Sequence, residues 1–252
     1  PIKTENLTKL DYWIRSKTNV FIQSAQEHYE SFQVFRLMNE ATELLDNLSN
    51  WYVRRNRRRF WKSENDGDKN AAYHTLYSVL MDFIKVMAPV IPFIGEKIYS
   101  NLSAPKQVNV NDSIHLCEYP IADDTLTKKD ILNEVDTVIR IVSLGRSARN
   151  KANIKIRQPL EELAVYGQKD ILKIAQENQI EILEELNIKS LKLVENESEL
   201  VSFIVKPNFQ LLGNKYGEDI GPITQFIKEA DSSHLIARIK ENKAIKVNDR
   251  DR

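Results

Sequence analysis

Residues 37–62 read LMNEATELLDNLSNWYVRRNRRRFWK, and this stretch decides the fold of the first part of the chain. In its first half, apolar residues recur at the i, i+3, i+4 spacing of an amphipathic helix. The residues on this stripe are Leu37, Ala41, Leu44, Leu45, Leu48, Trp51 and Tyr52. The spacing predicts a helix over about 33–61 that packs the stripe against other helices.

The second half of the stretch is an arginine run, which holds five arginines and no acidic residue. Arginine forks grip phosphate oxygens and aromatic rings stack on unpaired bases, so we interpret the run as a nucleic-acid contact. At about 100° per residue the run divides between two helix faces. The outer face, opposite the leucines, carries Arg54, Arg57, Arg58 and Trp61. Arg55 and Arg59 continue the leucine stripe, and we expect them to be less exposed and to pair with acids of the fold.

Two other interpretations of the arginine run are open. The run is compatible with a solvated helix face that forms salt bridges within a bundle. It is also a candidate docking surface for an acidic protein, because arginine pairs with carboxylates as well as with phosphates. Five neighbouring arginines repel one another, so the density favours anions supplied from elsewhere.

Helical spacing continues on both sides of this segment. It predicts helices over about 7–29, about 70–87, about 93–102 and about 128–151. Pro89 and Pro92 separate the second and third of these helices, because proline removes a backbone donor and disfavours helix at the preceding residue. Residues 103–124 are predicted to form a connector.

The pattern changes after Ala152. Short apolar runs at 163–166, 191–194, 200–205 and 243–247 predict strands, and helical spacing covers 170–186, 220–230 and 233–241. The predicted fold class is an α-helical bundle followed by a small α/β (α+β) domain. We expect the bundle to cover 1–125, a connecting helix 126–152 and the α/β domain 153–252.

Composition excludes several classes of protein. The 252 residues carry 36 basic and 36 acidic side chains, so any nucleic-acid contact must be a local patch. Cys117 is the single cysteine, which excludes a disulfide within the chain and a cysteine-rich zinc site. No apolar run reaches the length of a membrane helix. The chain starts Pro-Ile-Lys without a methionine, so we expect a cytoplasmic fragment of a longer protein.

Two further stretches are candidate anion contacts. The first is basic and contains Arg146, Arg149, Lys155 and Arg157; its alternative interpretation is a solvated helix end. The second lies at 206–217, reads KPNFQLLGNKYG and offers Lys206, Asn208 and Lys215. Its alternative interpretation is a turn after a strand, with Phe209 in the core and Gly213 and Gly217 providing tight backbone geometry.

Several of these stretches together resemble the isoleucyl-tRNA synthetases. LSNWYVRRNRRRFW at 48–61 resembles a segment of their class I anticodon-binding helical domain. LDYWI at 10–14 is similar to that domain's opening, and MAPVIPF at 87–93 to its M-A-P-x-x-P-F signature. IKIRQPL at 154–160 resembles the stretch that follows the bundle in these enzymes. KPNFQLLGNKYG at 206–217 resembles a motif that points to an isoleucyl rather than a valyl enzyme. The resemblance covers nearly the whole chain.

The resemblance implies a role in tRNA recognition. The expected partners are isoleucine tRNA, bound at its anticodon stem-loop, and the catalytic domain of the same protein; DNA and membrane are not expected. The H-I-G-H and K-M-S-K-S motifs are missing from this sequence, so ATP, magnesium and all catalytic residues are expected only in the full-length ligase. With Cys117 alone, the chain resembles the zinc-free archaeal and eukaryotic type, without a metal site. The alternatives are a protein-docking module or the equivalent region of a valyl or methionyl enzyme.

The candidate tRNA-binding residues are therefore all basic, aromatic or amide side chains from the three stretches. They are Trp51, Arg54, Arg57, Arg58, Trp61, Arg146, Arg149, Lys155, Arg157, Lys206, Asn208 and Lys215.

Overall fold

The chain folds into two compact units, residues 1–139 and 140–252, and each is described by itself. The computed structural model describes residues 6–61, 66–103, 113–196, 200, 205–230, 235 and 238–239, with the backbone alone at 124, 213–215 and 218. The division between the units falls inside one helix, whereas the sequence predicted boundaries at 125 and 152. Those two boundaries stay predictions.

The first unit is helical, as predicted. Its elements are α1 (Lys9–Glu30), α2 (Val34–Asp46), a π-helical segment (Asn47–Val53), α3 (Arg57–Trp61), α4 (Gly67–Met87), α5 (Pro92–Ser103) and the first part of α6 (Lys129–Lys151), with 3₁₀ turns at Ile114–Leu116 and Asp124–Leu126. Every regular element described before residue 152 is a helix. Pro92 is the first residue of α5 and α4 ends at Met87, so the predicted interruption by proline is confirmed.

Helix α1 is the central element of the first unit. A capping box starts it, in which the Thr8 hydroxyl accepts from the Asp11 amide and the Asp11 carboxylate accepts from the Thr8 amide. Trp13 is fully buried, and its indole N–H donates to Asp136 of α6 at 2.9 Å. Lys17 forms an ion pair with the same carboxylate at 2.8 Å. One face of α1 therefore fixes the N-terminal half of α6.

The stretch predicted as a helix over 33–61 is helical for most of its length, but it is not a regular α-helix throughout. The α-helix ends at Asp46, a π-helical segment follows, and the chain turns at Asn56 before α3. A π-helical turn holds more residues than an α-turn, so it shifts which side chains face the core. Trp51 and Tyr52, which lie in this segment, are both buried, as their place on the apolar stripe predicted. The buried Asn56 side chain donates to the Tyr52 carbonyl at 2.9 Å, in addition to the backbone bond from Asn56 N–H to the same carbonyl at 3.0 Å.

The second unit is built around two parallel strands, β1 (Leu160–Tyr166) and β2 (Ile188–Val194). Their register runs from Leu160 beside Ile188 to Tyr166 beside Val194. The crossover consists of α7 (Lys169–Glu177) and α8 (Gln179–Leu186), separated by Asn178, where the sequence predicted one helix. Leu172, Ala175, Ile182 and Leu186 form the buried side of this crossover.

Two helices, α9 (Phe209–Tyr216) and α10 (Ile220–Glu229), follow in the last part that the structure describes continuously. Residues 201–204, most of the strand predicted at 200–205, and the strand predicted at 243–247 lie outside the described residues, as does most of the helix predicted at 233–241. None of the helices in the described ranges is both long and apolar enough to cross a membrane.

Helix α1 offers a matched pair of variants that tests this packing. We expect Trp13→Ala to lower the free energy of unfolding by about 3–5 kcal/mol, because it leaves a large cavity in the core. Val20→Ala, at a 44% exposed position of the same helix, should change it by less than about 0.5 kcal/mol. Urea denaturation of both variants measures the difference. Equal losses of stability would contradict the placement of Trp13 in the core.

Candidate nucleic-acid interface

The arginine run divides between an exposed and an inner set, as the helical spacing predicted. Arg54, Arg57 and Arg58 are exposed, whereas Arg55 and Arg59 are partly buried. The Arg57 guanidinium lies over the ring of Trp61, with 4.8 Å between its central carbon and the ring centroid. Arg54 donates from Nε to the carbonyl of Asn50 at 2.9 Å, which directs its side chain along the helix surface.

Arg59 belongs to the interior of the first unit. Its Nη2 lies 2.9 Å from Oδ2 of Asp11, a carboxylate without solvent exposure, and its Nε donates to Asp68 at 2.6 Å. Asp11 also accepts from the Tyr52 hydroxyl at 2.5 Å. The expectation that Arg59 pairs with acids of the fold is confirmed. Arg59 thus joins the N-terminal ends of α1 and α4 to α3.

The pKa values of this buried cluster follow from its contacts. Burial alone lowers the pKa of the Arg59 guanidinium, but the hydrogen bonds and charges of Asp11 and then Asp68 outweigh it and leave that pKa raised. Burial, followed by the negative charge of Asp11, raises the pKa of the Tyr52 hydroxyl. Both raised pKa values favour a charged Arg59 and a protonated Tyr52 hydroxyl, which is the hydrogen-bond donor to Asp11.

The two tryptophans of the run have different positions. Trp51 is 5% exposed, so the prediction that it contacts RNA was wrong, and its ring packs in the core as the apolar stripe indicated. The inner Arg55 covers it, with its guanidinium carbon 5.5 Å from the ring centroid. Trp61 is 72% exposed and lies beside the outer arginines. Only Trp61 of this pair can stack on a base.

The second basic stretch also divides into inner and outer residues. Arg149 is 4% exposed, so it cannot contact RNA as predicted. Its guanidinium donates to four backbone carbonyls of the second unit instead. Arg146 pairs with Glu185 at 2.6 Å and keeps 45% of its side chain exposed. Lys155 and Arg157 are exposed, which is compatible with their predicted contact.

The stretch at 206–217 shows part of the arrangement that the sequence predicted. Lys206 is exposed, but the Asn208 side chain caps α9, because its Oδ1 accepts from the amides of Gln210 and Leu211. Phe209 is 58% exposed rather than part of the core. The side chain of Lys215 lies outside the described residues. Gly217 has φ of +38°, which agrees with the tight backbone geometry expected there.

The sequence interpretation missed two residues that organise these surfaces. Asp11 occurs in the quoted LDYWI stretch, yet only the folded chain brings its carboxylate to Arg59. Asn187 ends α8 in the left-handed conformation at φ +51° and donates to two carbonyls of the loop before β1. An asparagine directly before a strand, after a helical pattern, was the available signal. Across the described ranges, no group of three or more histidine, cysteine or acidic side chains could hold a metal ion.

A pair of arginine variants distinguishes the inner from the outer set. We expect Arg59→Gln to lower the free energy of unfolding by about 3–5 kcal/mol, because it leaves the Asp11 carboxylate buried without its cation. Arg57 is two residues away and exposed, so Arg57→Gln should change the free energy of unfolding by less than about 0.5 kcal/mol. Chemical denaturation measures both. A stable Arg59→Gln protein would contradict the structural role of the inner set.

Comparison with known proteins agrees with this geometry. A family model described as the anticodon-binding domain of tRNA ligase matches residues 11–165. The isoleucine–tRNA ligases of Clostridium novyi (strain NT) and Clostridium tetani (strain Massachusetts / E88) are 40% and 41% identical, each over 95% of this chain. That of Treponema denticola (strain ATCC 35405) is 38% identical over 90% of it. The chain spans 23% of the length of each clostridial relative and 20% of the treponemal one. The family model matches more than half of the chain, which therefore belongs to the anticodon-binding domain family of tRNA ligases.

Proposed function

We propose that this chain recognises isoleucine tRNA through the anticodon stem-loop, as part of an isoleucine–tRNA ligase. The observation that carries the proposal is the division of the arginine run. Arg59 is used inside the fold, whereas Arg54, Arg57 and Arg58 lie exposed beside Trp61. Family membership supports an anticodon as the ligand, and the names of the relatives support isoleucine.

The proposed mechanism is recognition rather than chemistry. The exposed arginines neutralise phosphates of the anticodon arm, which supplies affinity and fixes the register of the RNA. Unpaired anticodon bases expose their faces, and the exposed ring of Trp61 offers a stacking surface. The Arg57 guanidinium, 4.8 Å from the centroid of that ring, presents a cation beside the stacked base. Lys155, Arg157 and Lys206 are further candidates, since all three are exposed.

The rest of the reaction belongs, in this proposal, to the longer ligase. Its catalytic domain is the second partner of this chain and uses ATP and magnesium to attach isoleucine to the tRNA. A cytoplasmic location follows from this role in translation. The domain limits proposed for the chain are 1–125 for the bundle, 126–152 for the connecting helix and 153–252 for the α/β part.

The outer arginines can be tested by the salt dependence of binding. We expect Arg54→Gln, Arg57→Gln and Arg58→Gln each to weaken binding of isoleucine tRNA and to reduce the log–log salt slope by about one, because each variant removes one phosphate contact. Arg36→Gln, an exposed arginine of α2 outside the run, is the matched control and should keep the slope. Filter binding at several salt concentrations, with isoleucine tRNA and a non-cognate tRNA, gives both quantities.

Unchanged affinity and slope in all three variants would remove this face from the tRNA contact. Binding of an acidic protein but not of RNA, lost in the same variants, would favour the docking module instead.

Catalytic inactivity of the chain alone is a separate expectation. The H-I-G-H and K-M-S-K-S motifs are missing from the sequence, so the purified chain should not catalyse isoleucine-dependent exchange of pyrophosphate into ATP. The full-length relative from Clostridium novyi is the positive control. Pyrophosphate exchange by the purified chain, above the level measured in a preparation that lacks the chain, would contradict the expectation.

A further inference from the structure

The loop between α6 and β1, residues 152–159, has an unusual arrangement of its backbone carbonyls. Helix α6 ends with two bonds that turn the chain back, from Asn153 N–H to the Asn150 carbonyl at 3.1 Å and from Ile154 N–H to the Arg149 carbonyl at 2.9 Å. Asn153 takes the left-handed conformation at φ +55° that this ending requires. The loop therefore passes directly over the side chain of Arg149.

Two side chains hold the carbonyls of four consecutive loop residues. Arg149 donates from Nη1 to the carbonyls of Lys155 at 3.1 Å and Gln158 at 2.9 Å. Asn187 donates from Nδ2 to the carbonyls of Ile156 and Arg157, both at 3.1 Å. Nη2 of Arg149 also donates to the carbonyls of Leu186 and Asn187, at 2.7 and 3.1 Å. The guanidinium thus joins the loop to the end of α8.

The four loop carbonyls point towards Arg149 and Asn187. The opposite side of the loop therefore carries N–H groups and is electropositive. In a trans peptide the N–H points away from the preceding carbonyl, and the described residues contain no cis peptide. The N–H groups of Ile156 and Arg157 therefore point away from Asn187 and from Nη1 of Arg149. Neither has an acceptor in the described part of the chain. The loop presents these amides together with the exposed side chains of Lys155 and Arg157.

The charges around the loop are also unbalanced. Residues 146–160 contain five basic side chains and no acidic one. Arg146 pairs with Glu185 and Arg149 is buried, which leaves Lys151, Lys155 and Arg157 exposed. These three have no ion-pair partner among the residues that the structure describes. A fixed loop of cations and free amides is chemically suited to phosphate oxygens.

We propose that Arg149 and Asn187 are positioning residues that hold the loop so that Lys155, Arg157 and the intervening amides bind the sugar-phosphate backbone of RNA. The proposal rests on the proposed function, to which it adds a second RNA contact in a different structural unit from the arginine run. RNA is favoured over an acidic protein because tRNA is the ligand already proposed, and its backbone supplies the phosphates that this loop is suited to bind. The contact carries affinity rather than base specificity.

The variant Asn187→Gly isolates the positioning role. Glycine accepts φ of +51° without strain, so the variant removes the two bonds to the loop while it keeps the backbone path and the net charge. We expect about a tenfold loss of affinity for isoleucine tRNA, because two hydrogen bonds that fix the loop are lost. Lys155→Gln and Arg157→Gln should each reduce the salt slope by about one. Lys173→Gln, an exposed lysine of α7, is the control and should bind as the parent does.

A double-variant cycle separates positioning from a general loss of stability. In the Lys155→Gln/Arg157→Gln background, Asn187→Gly should cause little further loss of affinity, because the groups it positions are already gone. Circular-dichroism melts of every variant establish folding. If Asn187→Gly does not fold, the two surface variants carry the test by their salt slopes.

The outcomes distinguish this proposal from the proposed function. The positioning role is overturned if folded Asn187→Gly binds isoleucine tRNA with full affinity. It is also overturned if Asn187→Gly causes an equal loss of affinity in the unmodified chain and in the Lys155→Gln/Arg157→Gln background. If Lys155→Gln and Arg157→Gln leave the salt slope of tRNA binding unchanged while the arginine-run variants reduce it, this RNA contact is overturned. The proposed function is then kept. Binding of polyglutamate in place of RNA at the loop overturns the assignment to RNA. An unmodified chain that binds no RNA at low salt overturns both.

Discussion

The buried ion pair between Asp11 and Arg59 is the interaction on which the first unit depends. Asp11 has no solvent exposure, so its charge requires a cation and donors inside the fold. Arg59 at 2.9 Å and the Tyr52 hydroxyl at 2.5 Å supply them. To deliver both, the chain between α2 and α3 uses a π-helical segment and a turn. Arg54, Arg57 and Arg58 lie on the exposed side of the same stretch, where a ligand can reach them.

The sequence alone was sufficient to predict which arginines of the run are exposed and which are partly buried. Amphipathic spacing separated Arg54, Arg57 and Arg58 from Arg55 and Arg59, and the exposures agree. Both sets follow the π-helical segment, so that segment does not change the angle between them. The spacing also predicted the helices of the first unit and the interruption before Pro92, since those features depend on local backbone chemistry.

Several of the errors arise because neighbours distant in the sequence decide the role of a side chain. Arg149 has the same charge as Arg146 three residues earlier, and spacing alone does not show that the end of α8 and the following loop surround it. Trp51 belonged both to an apolar stripe and to a basic run, and burial of the stripe decided its position. Asn187 donates to carbonyls 31 and 30 residues earlier, whereas the role of Asn208 is local, since it accepts from amides two and three residues ahead.

The central claim is that the exposed face of the arginine run binds tRNA, and Trp61 reports on it directly. The chain has three tryptophans, of which Trp13 and Trp51 are buried and Trp61 is 72% exposed. Acrylamide quenching of tryptophan fluorescence, measured with and without saturating isoleucine tRNA, therefore follows one ring, and Trp61→Phe identifies its signal. The account predicts that the quenchable component disappears when tRNA binds. A Trp61 that stays as quenchable in the complex as in the free protein would contradict it.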